Sequence, residues 1–145
     1  MVSKSSHRQA SLRLGMLMNS SLDSSFEHDA LTGAVIGCVF HVANGLGVGF
    51  LEKVYENALL NELRKAGLEA RQQVHVTVTF EGQNVGDYIG DIVVEGRLLL
   101  ELKACHALEP SHTAQCLNYL KATGIPTCLL INFGTPKPQI KRLSR

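Results

Sequence analysis

The stretch DYIGDIVVEGRLLLELKA, residues 87 to 104, limits the possible folds more than any other part of the chain. The pattern predicts two strands, over residues 88–94 and 98–104, joined near Glu95-Gly96-Arg97. Leu98, Leu99, Leu100 and Leu102 give the second strand an apolar side chain on both faces, the mark of a strand in the middle of a covered sheet. Yet that strand carries Glu101 and Lys103, and the strand before it carries Asp91. An unpaired ionised carboxylate in a low-dielectric interior costs on the order of several kcal/mol. These acids therefore need ion pairing, a metal ion, or exposure at the end of the sheet.

The loop between the strands decides whether the charges meet. Glu101 and Lys103 are two apart on one strand and so share a face. A two-residue loop would pair Val94 with Arg97 and set Asp91 opposite Leu100, on the wrong face. A three-residue loop, or a bulge, pairs Val94 with Leu98 and sets Asp91 opposite Glu101. Gly96 can supply the left-handed residue of that longer turn, and the longer loop is expected. The two carboxylates then lie roughly 5 Å apart on neighbouring strands. Alone they would repel, and one would protonate. A divalent cation removes the conflict, and hard oxygen ligands at this spacing suit Mg²⁺ or Mn²⁺. Lys103 beside them can hold or deprotonate a water, or stabilise a developing negative charge. Metal-assisted attack of water on a phosphodiester is one reading. An Asp–Lys–Glu ion cluster without catalysis is the other, and geometry alone leaves both open.

The remaining pattern supplies the frame. A chain of 145 residues suits one domain with one core. Residues 1–28 are Ser-rich with weak periodicity and read as a flexible extension, with the domain proper at 29–145. The segment LTGAVIGCVFHVAN has near-helical apolar spacing, with Gly33 and Gly37 expected to let a neighbour pack closely. FLEKVYENALLNELRKAG is a stronger helix, closed at Gly67. QVHVTVTF alternates as a half-buried strand, SHTAQCLNYLKATG is a helix opened near Pro110 and closed by Gly124, and TCLLINFG is a last buried strand. The order ααβββαβ describes an α/β sandwich around a mixed sheet of about four strands, since the later helix lets the fourth strand run parallel to an earlier one. No apolar run approaches the ~20 residues of a membrane span, so no membrane association is expected. Cys38, Cys105, Cys116 and Cys128 form no CxxC pair, and read as reduced thiols of a cytoplasmic protein.

Charge narrows the partners. Residues 1–22 carry Lys4, Arg8 and Arg13 and no acid, whereas the rest carries 11 basic against 13 acidic side chains. Phosphate affinity in the folded part must come from a local patch or a bound cation. The tail residues Lys137, Lys141, Arg142 and Arg145 are basic but read as solvated. GLGVG, residues 45–49, resembles a phosphate-cradling loop but follows a helix and lacks GK[ST], so it reads as a sharp helix–helix connection. His106 and His112 read as surface or capping residues.

Asp91, then nine residues, then Glu101-x-Lys103 resembles the core motif of the PD-(D/E)XK nuclease superfamily, with Gly90 where that motif has proline. QCLNYLK, with Gln115 and Tyr119 one helical turn apart, resembles the Q-x-x-x-Y motif of its RecB-like branch. GFLEKVY, with Gly49, Glu52 and Tyr55, is similar to the signature of the small GxxExxY proteins, and LTGAVIG, NYLKATG and LLINFG also resemble that family. The likeness runs from about residue 28 to 143. It implies a restriction-endonuclease-like fold and a Mg²⁺- or Mn²⁺-dependent nuclease acting on nucleic acid, DNA in the first instance, with homo-oligomerisation also open. It implies Asp91, Glu101 and the carbonyl of Leu102 as metal ligands and Lys103 as the catalytic lysine. Glu52 would be an additional acid, Gln115 would orient the lysine or a water, and Tyr119 would pack near the substrate backbone. His41-Val42-Ala43 departs from the Glu-Val-His-like end that the first helix often has in this family. The rival reading is a non-catalytic module that uses the same fold to bind nucleic acid or a protein.

Overall fold

The computed structural model describes residues 20–145, with side chains from Asp29 onward. The first nineteen residues of the expected extension lie outside the described residues. Helix α1 (Ser20–Leu46) crosses the expected boundary at 28. The chain divides into two compact units after Gly37. In the first, Leu31, Thr32 and Val35 are buried while Gly33, Ala34 and Gly37 are exposed. A Cβ built on Gly33 or Gly37 meets nothing within 4 Å. Among the described residues these glycines face open space, so no neighbour within the chain packs on them. The window Asp29–Leu46 has a mean hydropathy of 1.3 over 18 residues, long and apolar enough by itself to cross a membrane. That holds by length and composition only, and glycines, His41 and Asn44 interrupt the apolar run.

The second unit, Cys38–Arg145, holds the sheet. Helix α2 (Glu52–Lys65) has an acid in its first turn and Arg64 and Lys65 in its last, which suits the helix dipole. It closes as a Schellman motif: Gly67 at φ 81° donates to the Arg64 carbonyl, and Leu68 donates to that of Leu63. The α1–α2 connection is the short link expected of GLGVG. The Tyr55 hydroxyl donates to the Gly47 carbonyl at 2.6 Å and accepts the Phe50 N–H at 3.3 Å. The Tyr55 ring stacks on Phe133 at 4.7 Å, which ties the start of α2 to the chain just beyond β4.

Five strands form one sheet in chain order. β1 (Ala70–Phe80), β2 (Gln83–Val94) and β3 (Leu98–Lys103) make an antiparallel meander. Helix α3 (Pro110–Thr123) then crosses over, so β4 (Thr127–Asn132) runs parallel to β3. β5 (Gln139–Ser144) returns antiparallel along β4. This fifth strand was expected to be a basic tail. Its polar alternation hides the two residues that matter, Ile140 and Leu143, and Leu143 is buried. Helix α3 opens at Pro110, with the Glu109 N–H donating to His112 Nδ1 at 3.1 Å, and Gly124 at φ 79° ends it.

The β3 reading holds. Leu98, Leu99, Leu100 and Leu102 are 0–1% exposed, and burial of each contributes about 1.5–3 kcal/mol. On the α3 side, Val93, Leu99, Cys128, Leu130 and Leu143 of the sheet meet Cys116, Tyr119 and Leu120 of the helix. Helix α2 packs against β1, β2 and β3.

Candidate active site

The β2–β3 turn puts the acids together. Glu95 and Gly96 both have positive φ, 53° and 63°, and the Arg97 N–H donates to the Val94 carbonyl. The ladder nevertheless pairs Val94 with Leu98, leaving Arg97 as an additional residue. This is the longer register expected from Gly96. The pairing runs Val94↔Leu98, Val93↔Leu99, Ile92↔Leu100 and stops there, although β3 continues to Lys103 alongside β4. Where main-chain pairing ends, the carboxylates replace it. Glu101 Oε1 accepts the Asp91 N–H at 3.1 Å, and Asp91 Oδ2 accepts the Leu102 N–H at 2.8 Å. Each acid thus satisfies a backbone donor that the parting strands would otherwise bury unpaired. In a strand, a residue's N–H and C=O leave on the same side, so the Leu102 carbonyl also faces β2.

β1 and β2 change faces at this point. Gln72 reaches Glu56 and Asn57 on α2, whereas Val74, two residues on, packs in the α3 cluster. Their partners behave alike: Ile92 pairs with Leu100, away from that cluster, while a Cβ on Gly90 would lie 2.8 Å from the Tyr119 ring. Residues two apart in a regular strand share a face. Alternation therefore breaks at Gln73 and Asp91, and that rung is missing from the β1–β2 ladder. Gln73 has φ 51°, which is how the break is made on β1.

Electrostatics follow from the crowding. Glu101 is 4% exposed. Burial first, and then the Asp91 charge, push its carboxyl from the ordinary 4.5 up to about 8. Burial also raises Asp91, and the nearby charges of Glu56 and Glu52 add to this; the Leu102 N–H and Lys103 pull the other way. Lys103 is half-buried and lowers both acids electrostatically. Among the described residues neither Asp91 nor Glu101 forms an ion pair within 4.0 Å.

The other expected residues are placed less uniformly. Glu52 opens α2, exposed, with its charge felt at Asp91. Gln115 is exposed on α3, one turn before Tyr119. Tyr119 is 2% exposed and its hydroxyl donates to the Val74 carbonyl at 2.9 Å, a position inside the sheet–helix core. His41 lies 3.7 Å from Glu62, at the far end of α2 from Glu52. Sequence reasoning missed Glu56, Gln72 and Gln73. Glu56 is 4% exposed and accepts hydrogen bonds from Lys53, Gln72 and Gln73. The available signal was its place one turn after Glu52 on the same helix, beside the apolar stripe.

The donor set fits a hard divalent cation. Among the described residues no group of three His, Cys, Asp or Glu side chains could hold a metal ion. Mg²⁺ does not need one: it is commonly held by one or two carboxylates and otherwise keeps water or substrate oxygens. A buried and a half-buried carboxylate without an ion-pair partner leave negative charge that such a cation would neutralise.

A mixed sheet whose central strands part around two carboxylates, with a lysine two residues on, defines a nuclease-like α/β protein. The chain belongs to the PD-(D/E)XK nuclease superfamily, whose family model matches residues 29–143. No curated protein matches the chain. The fold recurs in a solved structure at low identity. The crystal structure of SSO0001 aligns with a TM-score of 0.54 and 13% identity, over 65% of this chain and 50% of that one. An alkaline exonuclease, LHK-Exo from Laribacter hongkongensis, aligns with a TM-score of 0.49 and 14% identity, over 64% of this chain and 55% of that one. The chain spans only about half the length of either.

Proposed function

We propose that this protein is a Mg²⁺- or Mn²⁺-dependent nuclease that hydrolyses phosphodiester bonds, with Asp91, Glu101 and the Leu102 carbonyl as the cation's ligands. The observation that carries the proposal is the pair of hydrogen bonds crossing between the parted strands, which fixes both carboxylates at one rim. A bound cation there supplies positive charge for a phosphate oxygen and acidifies water. The chain's own residues do the rest. The Leu102 N–H holds Asp91 in one orientation, and Glu101 would have to release its proton to water before it could serve as a ligand. Lys103, on the same strand face as Glu101, stabilises negative charge that develops on the phosphate. Glu52, whose charge is felt at Asp91, would act on water or substrate at the margin of the site, and Gln115 would orient Lys103 or a water. Within the superfamily, Gly49, Glu52 and Tyr55 together with Gln115 and Tyr119 fit the GxxExxY proteins of the RecB-like branch. A cytoplasmic setting agrees with four free cysteines.

A non-catalytic binding module is the second reading, favoured by the acid excess after residue 22. The test incubates purified protein with linear, circular and single-stranded DNA and with RNA, in Mg²⁺, Mn²⁺ or EDTA. Cleavage should require the cation and fall by about 10²–10⁴-fold in Lys103→Ala and Glu101→Ala. Mn²⁺ affinity, read by calorimetry, should drop in Asp91→Ala. Cleavage undiminished in both variants, or no cleavage together with no Mn²⁺ binding, would overturn the nuclease reading.

A further inference from the structure

We infer that Glu56 is a positioning residue: through Gln72 and Gln73 it holds the break in the sheet that carries Asp91. The inference rests on the nuclease reading only in what it says about metal affinity. A carboxylate that is 4% exposed needs hydrogen-bond donors. Glu56 has three: Lys53 Nζ at 2.7 Å, Gln72 Nε2 at 2.7 Å and Gln73 Nε2 at 2.9 Å. Lys53 is its helical neighbour and is 58% exposed. The two glutamines come from β1, 16 and 17 residues along the chain.

Consecutive residues of a strand point to opposite faces. Gln72 and Gln73 can reach one carboxylate only if alternation fails between them. Gln73 makes it fail by taking φ 51°, a conformation that a side-chain-bearing residue holds only when its surroundings impose it. Its partner by register is Asp91, in the gap between Gln72↔Ile92 and Val74↔Gly90. With that rung absent, Asp91 is committed to β3, donating its N–H to Glu101 and accepting that of Leu102. Once Gln73 loses its acceptor on α2, it relaxes toward the extended form, the rung to β1 closes, and Asp91 turns away from Leu102.

Amide hydrogen exchange by NMR on the metal-free full chain reads this directly, with Mn²⁺ titration alongside. Glu56→Gln keeps the side-chain volume but leaves one acceptor oxygen for three donors. The Asp91 and Leu102 amides should exchange at least ~10-fold faster while β4–β5 amides do not change, and Mn²⁺ affinity should fall about 10–100-fold. Gln73→Val, which resists φ 51°, should loosen the same two amides with Glu56 intact. Gln73→Gly loses the same tether but holds that φ without strain, and should loosen them less than Gln73→Val does. Unchanged protection in Glu56→Gln, loosening spread evenly into β4–β5, or identical behaviour of the Val and Gly variants would overturn the inference. If the wild-type protein binds no Mn²⁺, the nuclease reading fails, and the amides still decide the role of Glu56.

Discussion

Glu101 is held towards its neutral form by burial and by Asp91, with its carboxyl raised from 4.5 to about 8. An unfolded chain releases that proton near 4.5, and the folded chain keeps it until about 8. The stability this group contributes is complete below the lower value and is lost as pH climbs through the upper one. The thermal midpoint of the metal-free protein should therefore fall between pH 5 and 8, and Glu101→Gln should flatten the slope. Mn²⁺ should raise the midpoint more at pH 8 than at pH 5.5, since the cation competes with the proton. A midpoint that rises with pH across this window in the metal-free protein would contradict the placement of Glu101. That one of two facing carboxylates must protonate was legible from their spacing. Which one was not, because it depends on Glu101 being the more deeply enclosed and on Asp91 gaining the Leu102 N–H.

The strand that carries Glu101 and Lys103 needs its exit held as firmly as its entry. At the end of β4, Asn132 is 0% exposed; its Oδ1 accepts the N–H groups of Cys105 and Gly134, and its Nδ2 donates to the Cys105 carbonyl and Gln139. A Cβ on Gly134 would lie 2.1 Å from the Cys105 carbonyl oxygen. Both are main chain within hydrogen-bonded segments, so neither yields cheaply. Gly134→Ala should cost about 3 kcal/mol or more by urea denaturation. A loss below ~1 kcal/mol would mean that the segment after β4 is free to move. LLINFG marked the end of a strand in the sequence, but the reason for its glycine lies in a residue 29 positions earlier. Gly33 and Gly37 teach the converse: the same residue type, read as a packing site, faces open space.

Across the whole molecule, β5 covers what would otherwise be the edge of the sheet. All six residues of β4 are buried, and β5 pairs along the whole strand. Removing residues 139–145 would expose an apolar strand with unpaired main-chain groups, and such edges recruit other chains. The shortened protein should elute as aggregate in size-exclusion chromatography, whereas Lys141→Ser with Arg142→Ser, which keeps the strand and removes charge, should stay soluble. A monodisperse, stable truncation would show that β5 is dispensable. Local pattern by itself determined the meander, the crossover to a parallel strand and the three-residue turn that sets Asp91 opposite Glu101. Those features follow from side-chain periodicity and from where glycine permits a left-handed turn, both short-range properties of the chain. Only the tertiary structure decided that alternation fails at Gln73 and Asp91, that Glu56 lies buried beside them, and that a polar tail becomes a fifth strand. Each of these depends on which side chains from distant segments meet, and on buried donors and acceptors finding partners there.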